Sequence, residues 1–434
     1  MTAPHPEAAF RSFRLVCEPG SIPRVEALLR AQGYEFEPEP FSPFCRRLVA
    51  EPVPLGRSLA AFFGYIYIQD RSSMLPPLAL APEPGGAVLD ICASPGSKSG
   101  FLAQLVGTGG FVLANEPNPA RLATLRANLH ACNLLQAATC ACPGERLPLR
   151  PASWRRILLD PPCSGWGTAA KHPRTLTLWR EDKVAPLVGL QQRLLRHAAL
   201  LLAPGGHLLY STCTTNEAEN EAQVRFAEEE LGLARVPLAP FPGFAWEERA
   251  GGRGTLRVDG ARSQAQGFYL ALLRAPAASA PPDAGEHPAR TRRPARAAPG
   301  SPLAPDALAG PCCDPERLPP GTVLRFGDKV RFVPEAASAC LPPGFGWQAA
   351  LLGRTDGAGA FVPAPRLRCL APRNRDGGPE APALVLEDVA DVTALLEGRS
   401  RDTGLAGREA ALWWRDLPLG CLGLRRGRAL AAFR

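Results

Sequence analysis

Two short apolar runs that break into cysteine-bearing polar turns constrain this chain most. The first is Ile157-Leu158-Leu159, followed by Asp160-Pro161-Pro162-Cys163-Ser164-Gly165. The second is His207-Leu208-Leu209-Tyr210, opened by Gly205-Gly206 and closed by Ser211-Thr212-Cys213-Thr214. Runs this short, bounded by Gly, Pro and Ser, read as buried strands, so both thiols fall at strand C-terminal ends. In an open α/β sheet that edge is where ligands and chemistry collect. A third strand-to-loop element lies upstream, Ala87-Val88-Leu89-Asp90 running into Ile91-Cys92-Ala93-Ser94-Pro95-Gly96-Ser97-Lys98. One nucleotide-type loop and two strand-end cysteines point to an enzyme that adds a thiolate to a substrate beside a bound cofactor.

The surrounding pattern alternates strands with helices. It predicts strands at 87–91, 111–115, 157–160, 207–211 and 267–273, and helices at 97–106, 118–131, 184–202 and 217–230. That alternation argues for an α/β fold with a doubly wound, mostly parallel Rossmann-like sheet over residues 69–275. Residues 1–68 read as a small α+β segment, with a helix from Ile22 to Arg30 that carries Pro23 in its first turn. Residues 276–310, rich in Pro, Ala and Ser with Arg290, Arg292, Arg293 and Arg296, read as a flexible or extended linker. Beyond it, Val323–Phe326 and Val330–Val333 resemble hairpin strands around Gly327-Asp328, and 383–434 reads as a compact α+β or β-barrel tail.

A chain of 434 residues exceeds what one core supports, so two or three domains are expected. No apolar stretch is long enough to span a bilayer, and the N-terminus shows no basic region followed by an apolar one. Thirteen cysteines without an export signal predict reduced thiols in a cytoplasm. Cys140-Ala141-Cys142 and Cys312-Cys313 have the wrong spacing for zinc, so no metal is expected. The net charge of +8 is compatible with a nucleic-acid partner. A composition rich in Ala, Pro, Gly and Arg accounts for it equally well. Lysine is scarce (Lys98, Lys171, Lys183 and Lys329), which singles out Lys98 inside the nucleotide-type loop.

That loop lacks GxGxxG but shares its physics: a strand ends, a Pro-Gly turn lets backbone approach a ligand, and a helix N-terminus follows. Glu116 ends the next strand, where an acid can accept from both ribose hydroxyls. These features support a nucleoside cofactor, S-adenosylmethionine ahead of NAD. The Asp160-Pro161-Pro162-Cys163 turn narrows the chemistry. Related Asn/Asp-Pro-Pro turns in amine methyltransferases carry an aromatic residue that stacks on the base, whereas cysteine supplies a thiol. Cytosine C5 is a poor nucleophile until a thiolate adds to C6 and makes it an enamine carbon. A carboxyl group such as Asp160, bonded to N3 and the exocyclic amine, would stabilise the charge that develops. Either cysteine fits addition, with the other assisting release.

Together these motifs resemble the Sun family of RNA (cytosine-5) methyltransferases, most closely its bacterial RsmF-like branch acting on small-subunit ribosomal RNA. The resemblance runs from about residue 20 to 275. It rests on Ile68-Gln69-Asp70-Arg71-Ser72-Ser73-Met74, the Asp90–Lys98 loop, Asp160–Gly165, Tyr210–Thr214 with Glu219-Asn220-Glu221 behind it, and Gly267-Phe268-Tyr269-Leu270-Ala271. It implies Cys213 as the nucleophile, Cys163 in product release and Asp160 on cytosine N3/N4. It further implies an S-adenosylmethionine pocket made by Cys92, Ala93, Ser94, Pro95, Gly96, Ser97 and Lys98. Glu116, Arg121, Cys142 and Asp160 complete that pocket.

One departure stands out. The family usually has an Asp about 25 residues past the ribose-binding acid, touching the adenine amino group; Cys142 or Pro143 occupies that place here. The tail Asp416–Gly427 resembles a small PUA-like RNA-binding module. The expectation is therefore a cytoplasmic, monomeric, S-adenosylmethionine-dependent RNA (cytosine-C5) methyltransferase with an RNA partner, small-subunit ribosomal RNA first. The same chemistry on transfer RNA, or a weakly catalytic RNA-binding assembly factor, are the alternatives. Cys17, Cys92 and Cys132 read as small core residues. Lys171-His172-Pro173-Arg174 reads as a phosphate contact or a solvated loop.

Overall fold

A computed structural model describes residues 11–168, 181–249, 251–277, 300–374, 376–380 and 383–430. Lys171–Arg174 and the four linker arginines between 290 and 296 lie outside the described residues. The first unit is an antiparallel sheet of β1 (Ser12–Leu15), β2 (Glu35–Pro38), β3 (Cys45–Ala50) and β4 (Ile66–Ile68), in the order β2-β3-β1-β4. Helix α1 (Ile22–Ala31) carries Pro23 in its first turn and buries Val25, Leu28 and Leu29. Helices α2 (Leu59–Phe62) and α3 (Leu75–Leu80) then lead into the central sheet.

That sheet is built from β5 (Ala87–Asp90), β6 (Phe111–Asn115), β7 (Ala137–Cys140), β8 (Trp154–Leu159) and β9 (Leu202–Thr212), all parallel to their neighbours in this set. Strands β10 (Ala234–Val236), β11 (Leu256–Val258) and β12 (Phe268–Arg274) add an antiparallel edge beyond β9. The order β10-β12-β9-β8-β5-β6-β7 reverses direction at β5, so the crevice for a ligand lies outside the C-terminal ends of β5 and β8.

Alternation along each strand feeds two cores. Leu89, Leu113, Ile157, Leu159, Leu208 and Tyr210 face one side, under the helices Glu181–Leu201 and Glu221–Glu229. Val88, Val112, Leu158, Leu209 and Leu270 face the other, under α3, α4 (Ser97–Val106) and α5 (Pro119–Ala131). A strand buried on both faces must be apolar at successive positions, which is why these runs were legible.

Each of the nine expected elements has a counterpart. Strand 157–160 starts earlier, at Trp154. The expected helix 217–230 is broken: a 3₁₀ turn, Glu217–Glu219, precedes a helix that starts at Glu221. The cause is Asn220, whose side chain is spent on Thr212 Oγ1 and the Thr214 carbonyl and whose backbone leaves the helical region. Strand β7 was not expected, since Ala137-Ala138-Thr139-Cys140 carries no large apolar side chain.

The described chain resumes at Gly300. Ser301–Pro302 pairs with Leu324 and Arg325 and Leu308 is buried, so regular structure begins inside the 276–310 stretch that composition reads as a linker. A five-stranded antiparallel sheet follows, including the expected hairpin Gly321–Phe326 and Lys329–Pro334. Its Trp347–Gln348 segment reaches across to pair with β7, closing that edge of the central sheet. The tail is a mixed five-stranded sheet with one helix, Val389–Leu396, and its core merges with that of the first unit: Leu412, Trp414 and Leu422 join Phe13, Leu28 and Phe63.

One expectation is overturned. Cys312 and Cys421, 109 residues apart, form a disulfide that ties the loop before the Gly321–Phe326 strand to the tail strand Leu417–Arg425, so not every thiol is free. Burial brings the two thiols to bonding distance, which sequence spacing could not reveal. Cys312, Glu409 and Cys421 also bring possible metal donors within 4.8 Å, but the disulfide takes both sulfurs. Among the described residues no helix is long and apolar enough to cross a membrane.

Candidate active site

The loop between β5 and α4 is shaped by backbone bonds. Ala93 N–H donates to Asn115 O at 2.9 Å, and Gly96 N–H donates to Ala93 O at 2.8 Å. Gly96 has φ +104°, open to glycine at little cost, and a Cβ there would meet Leu125 Cδ1 at 2.9 Å. The turn therefore sits against α5, where Asn128 Nδ2 also donates to Pro95 O at 2.8 Å. Cys92, partly buried, packs against the core, and burial pushes its thiol well up.

Glu116, just past β6, is buried with one oxygen on Asn118 N–H at 2.9 Å and the other 3.3 Å from Arg121 Nη2. Arg121 in turn reaches Ser94 O at 3.3 Å, tying the acid to the loop. Asn115 beside it uses all its bonding capacity. Its Nδ2 donates to Ile91 O and Cys142 O, and its Oδ1 accepts from Cys142 N–H and Cys140 Sγ. Cys142 thus has its backbone fixed by Asn115, a residue that sequence reading did not single out. At the same loop Asp90 is buried beneath α4, with Oδ2 accepting from Ser99 Oγ at 2.6 Å and Oδ1 unpartnered. Burial, opposed by the Ser99 bond and reinforced by the Asp160 charge, pushes its carboxyl up to about 7.

The two cysteine turns meet above this loop. Cys163 Sγ and Cys213 Sγ lie 3.4 Å apart, each partly buried. Asp160 holds one oxygen on Lys98 Nζ at 2.6 Å and the other on Ser211 Oγ at 2.9 Å. Burial pulls the Lys98 ammonium down, but Asp160 outweighs it and Lys98 is held above its usual value. The two thiols separate in acidity. Cys213 is held below the usual thiol range, first by its hydrogen bond with Cys163, with Lys98 assisting against burial. Cys163 is pushed well up by the same bond and by burial. The arrangement favours a thiolate at Cys213 and a protonated thiol at Cys163.

A buried polar network locks the two turns together. Glu219, wholly buried, accepts from Ser164 N–H at 2.9 Å, from Gln191 Nε2 at 3.0 Å and from Ser164 Oγ. Gln191 also donates to Pro162 O at 3.0 Å. Asn220 bonds both Thr212 and Thr214, and Glu221 forms a two-oxygen pair with Arg257, whose Nη1 holds Thr215 O. Gly167 N–H donates to Cys213 O at 3.0 Å, and a Cβ on Gly167 would fall 2.3 Å from Gly267 O, so that approach requires glycine. Ser211 stood inside the second cysteine motif without a role assigned to it, and Gln191 gave no sequence signal because it lies in an ordinary helix pattern.

Residues 77–274, which enclose the cofactor-type loop and both cysteine turns, match the family model described as 16S rRNA methyltransferase RsmB/F. The tRNA (cytosine(49)-C(5))-methyltransferase of Pyrococcus abyssi is 33% identical over 274 residues, covering 61% of this chain and 88% of that protein. The chain belongs to the RsmB/F methyltransferase family. The ribosomal RNA small subunit methyltransferase F of Cronobacter sakazakii is 34% identical over 285 residues, covering 62% of this chain and 58% of that protein. The chain thus matches little more than half the length of that relative. Among solved structures, a methyltransferase homolog protein from Pyrococcus horikoshii aligns with a TM-score of 0.54 and 29% identity, covering 62% of this chain and 87% of that one. Every site residue named from sequence lies inside the RsmB/F match, whereas Trp347–Gln348 and the tail lie outside it.

Proposed function

We propose that this protein is an S-adenosylmethionine-dependent RNA (cytosine-C5) methyltransferase acting through a covalent Cys213–C6 adduct, with small-subunit ribosomal RNA as its target. The single observation that carries the reading is the 3.4 Å approach of two thiols from separate strand-end turns beside the Lys98–Asp160 pair. The kinship with small subunit methyltransferase F supports the ribosomal target, and that with the archaeal tRNA enzyme supports the same chemistry on transfer RNA.

The residues present fit the cofactor. Glu116 presents a buried carboxylate at the end of β6, and Asp90, beneath the loop that Gly96 turns, keeps a buried oxygen without a partner. The backbone of Cys92–Lys98, the Glu116 carboxylate with Arg121, and the Cys142 backbone held by Asn115 would hold it. When bound, it supplies an electrophilic methyl group to a nucleophilic carbon.

On the substrate side, the Cys213 thiolate adds to cytosine C6, and electron density moves onto the ring toward N3. The Asp160 carboxyl, held by Lys98 and Ser211, would share a proton with N3 and accept from the exocyclic amine, which neutralises that charge. After methylation a base takes the C5 proton, the C–H electron pair re-forms the C5–C6 double bond, the Cys213–C6 bond breaks, and the expelled sulfur regains its thiolate. The Cys163 thiol, a hydrogen-bond partner of that sulfur, assists the expulsion. The tail would add RNA contacts in the manner of a PUA-like module, since Arg425, Arg426 and Arg428 are exposed at its last turn.

The test is transfer of a labelled methyl group to 16S rRNA and tRNA transcripts, with denaturing gels for covalent adducts. Cys213→Ala should abolish both transfer and adduct, and Cys163→Ala should accumulate an adduct because elimination stalls. An adduct persisting in Cys213→Ala and absent in Cys163→Ala would reverse the two roles. Absence of transfer to either RNA by the wild type would remove the enzyme reading.

A further inference from the structure

Away from the crevice, a cavity of about 240 Å³ lies between α5, β7 and the sheet that follows Gly300. Its walls include the apolar Leu134, Leu135 and Leu351 beside the polar Asn133, Thr139 and Gln348, and its two arginines carry charge of one sign, with His130 next to them. Arg126 comes from α5, Arg331 from the strand Lys329–Pro334, and His130 from the next turn of α5. Among the described residues no acidic side chain lines it, and neither arginine forms an ion pair. Each guanidinium is anchored by one edge only: Arg126 Nε donates to Thr139 Oγ1 at 2.9 Å, and Arg331 Nη1 donates to Ala349 O at 2.7 Å.

Two like charges brought together in a recess cost free energy unless something offsets them. The strain registers on the groups themselves. Burial and then Arg126 pull Arg331 below its usual value, and burial, with Arg366 and Arg331, holds His130 down. Guanidinium N–H groups not spent on those two bonds, in a concave site with leucines in its walls, match an oxyanion with a planar or apolar body attached.

We propose that this recess is a phosphate seat, in which Arg126 and Arg331 together hold the phosphate of a nucleotide unit. This reading rests on the proposed RNA-modifying function only for the source of the phosphate, an RNA strand as against a free nucleotide. The position suits a strand. Helix α5 carries Arg126 on this cavity while its Leu125 and Asn128 abut the Gly96 loop, so one rigid element joins the seat to the cofactor crevice. The C-terminal unit contributes the second arginine, and it reaches the site because Trp347–Gln348 pairs with β7. RNA that stretches past the crevice on the β7 side would be held by a surface assembled from both units.

The experiment uses the full-length protein, the double variant Arg126→Gln/Arg331→Gln, and the charge-retaining Arg126→Lys/Arg331→Lys. Cytidine 5′-monophosphate and cytidine are titrated by calorimetry, 16S rRNA transcript binding is followed against KCl, and S-adenosylmethionine affinity reports an intact fold. The Gln variant should bind the monophosphate at least about tenfold more weakly, with cytidine and S-adenosylmethionine unaffected. Its log–log salt slope for RNA should shrink by about 0.7 for each lost single-strand phosphate contact, and the Lys variant should keep it. Weakened monophosphate binding with an unmoved RNA slope would support the seat and assign it to free nucleotides. A changed slope without measurable monophosphate binding would support it and assign it to RNA. Unchanged monophosphate affinity and unchanged slope in a folded Gln variant would overturn the seat. Failure of the wild type to bind RNA at all would strike the functional reading instead, because the monophosphate titration still decides the seat.

Discussion

Glu219 and Ser164 stand 55 residues apart in sequence, yet the buried Glu219 carboxylate accepts the Ser164 backbone N–H at 2.9 Å. Ser164 follows Cys163, and Glu219 sits in the turn that follows Cys213, so one side chain fixes the separation of the two thiols. Through Gln191 it also steadies Pro162. Such a residue positions the reacting groups without touching a substrate.

Replacing Glu219 by Ala would strand the Ser164 and Gln191 donors, at a cost of about 1–3 kcal/mol for each buried group left unpaired. Misplacement of the thiols by roughly 1 Å should lower kcat by up to about 100-fold. S-adenosylmethionine affinity should stay within about twofold, since Glu219 does not contact the cofactor-type loop, and Glu219→Gln, which keeps one acceptor, should recover part of the rate. Steady-state kinetics and calorimetry decide it. A kcat loss matched by lost cofactor binding would show a general structural role, and an unchanged kcat would show that the thiols align without it.

The acidity of Cys213 gives a second prediction, with a definite sign. Addition needs the thiolate, so the acidic limb of the kcat/KM profile follows the Cys213 ionisation. The Cys163 hydrogen bond first, and then the Lys98 ammonium, hold that ionisation low against burial and the Asp160 charge. Lys98→Met removes a positive charge beside a forming negative one, so the limb should move to higher pH. At a fixed pH below it, the rate should fall about tenfold for each unit moved. Lys98→Arg retains the charge and should return the limb toward its original place. A limb displaced to lower pH in Lys98→Met, or unmoved in both variants, would remove Lys98 from this role.

The legible parts of the molecule were those where local pattern and tertiary place agree. Strands β5, β6, β8 and β9 are buried on both faces, so their apolar runs announced them, and the turns that end them carried Cys163, Cys213 and Lys98 in readable motifs. Strand β7 ends the parallel set and is equally buried but built of Ala, Thr and Cys, with α5 and the Trp347–Gln348 segment close against it. The Glu219-Asn220-Glu221 triplet was visible as a motif, while its three separate anchors on Ser164, Thr212 and Arg257 depend on contacts that spacing does not encode. Asn115 and Gln191 carried no signal, since an amide at a strand end or mid-helix is ordinary until its partners are known. The Cys312–Cys421 disulfide and the merged core of the first unit and the tail were hidden for the same reason: each joins residues separated by more than a hundred positions.

That merged core carries the last prediction. Trp414 is almost wholly buried, its Nε1 donates to Glu387 O at 3.1 Å, and it belongs to the cluster that contains Phe13, Val25 and Leu28. Tyr65 of the first unit donates from its hydroxyl to Pro418 O, and Arg24 pairs with Asp416, so polar contacts bind the same two units. Removing a buried indole leaves a cavity and costs about 3–5 kcal/mol. Because α1 leans on this core, Trp414→Ala should lower hydrogen-exchange protection across Val25–Leu29 as well as across Glu409–Trp414. Protection in β5 and β8, which belong to other clusters, should hold. Mass-spectrometric exchange on the full-length variant reads all three regions at once. Loss confined to the tail, with α1 as protected as in the wild type, would mean that the first unit keeps its core without the tail.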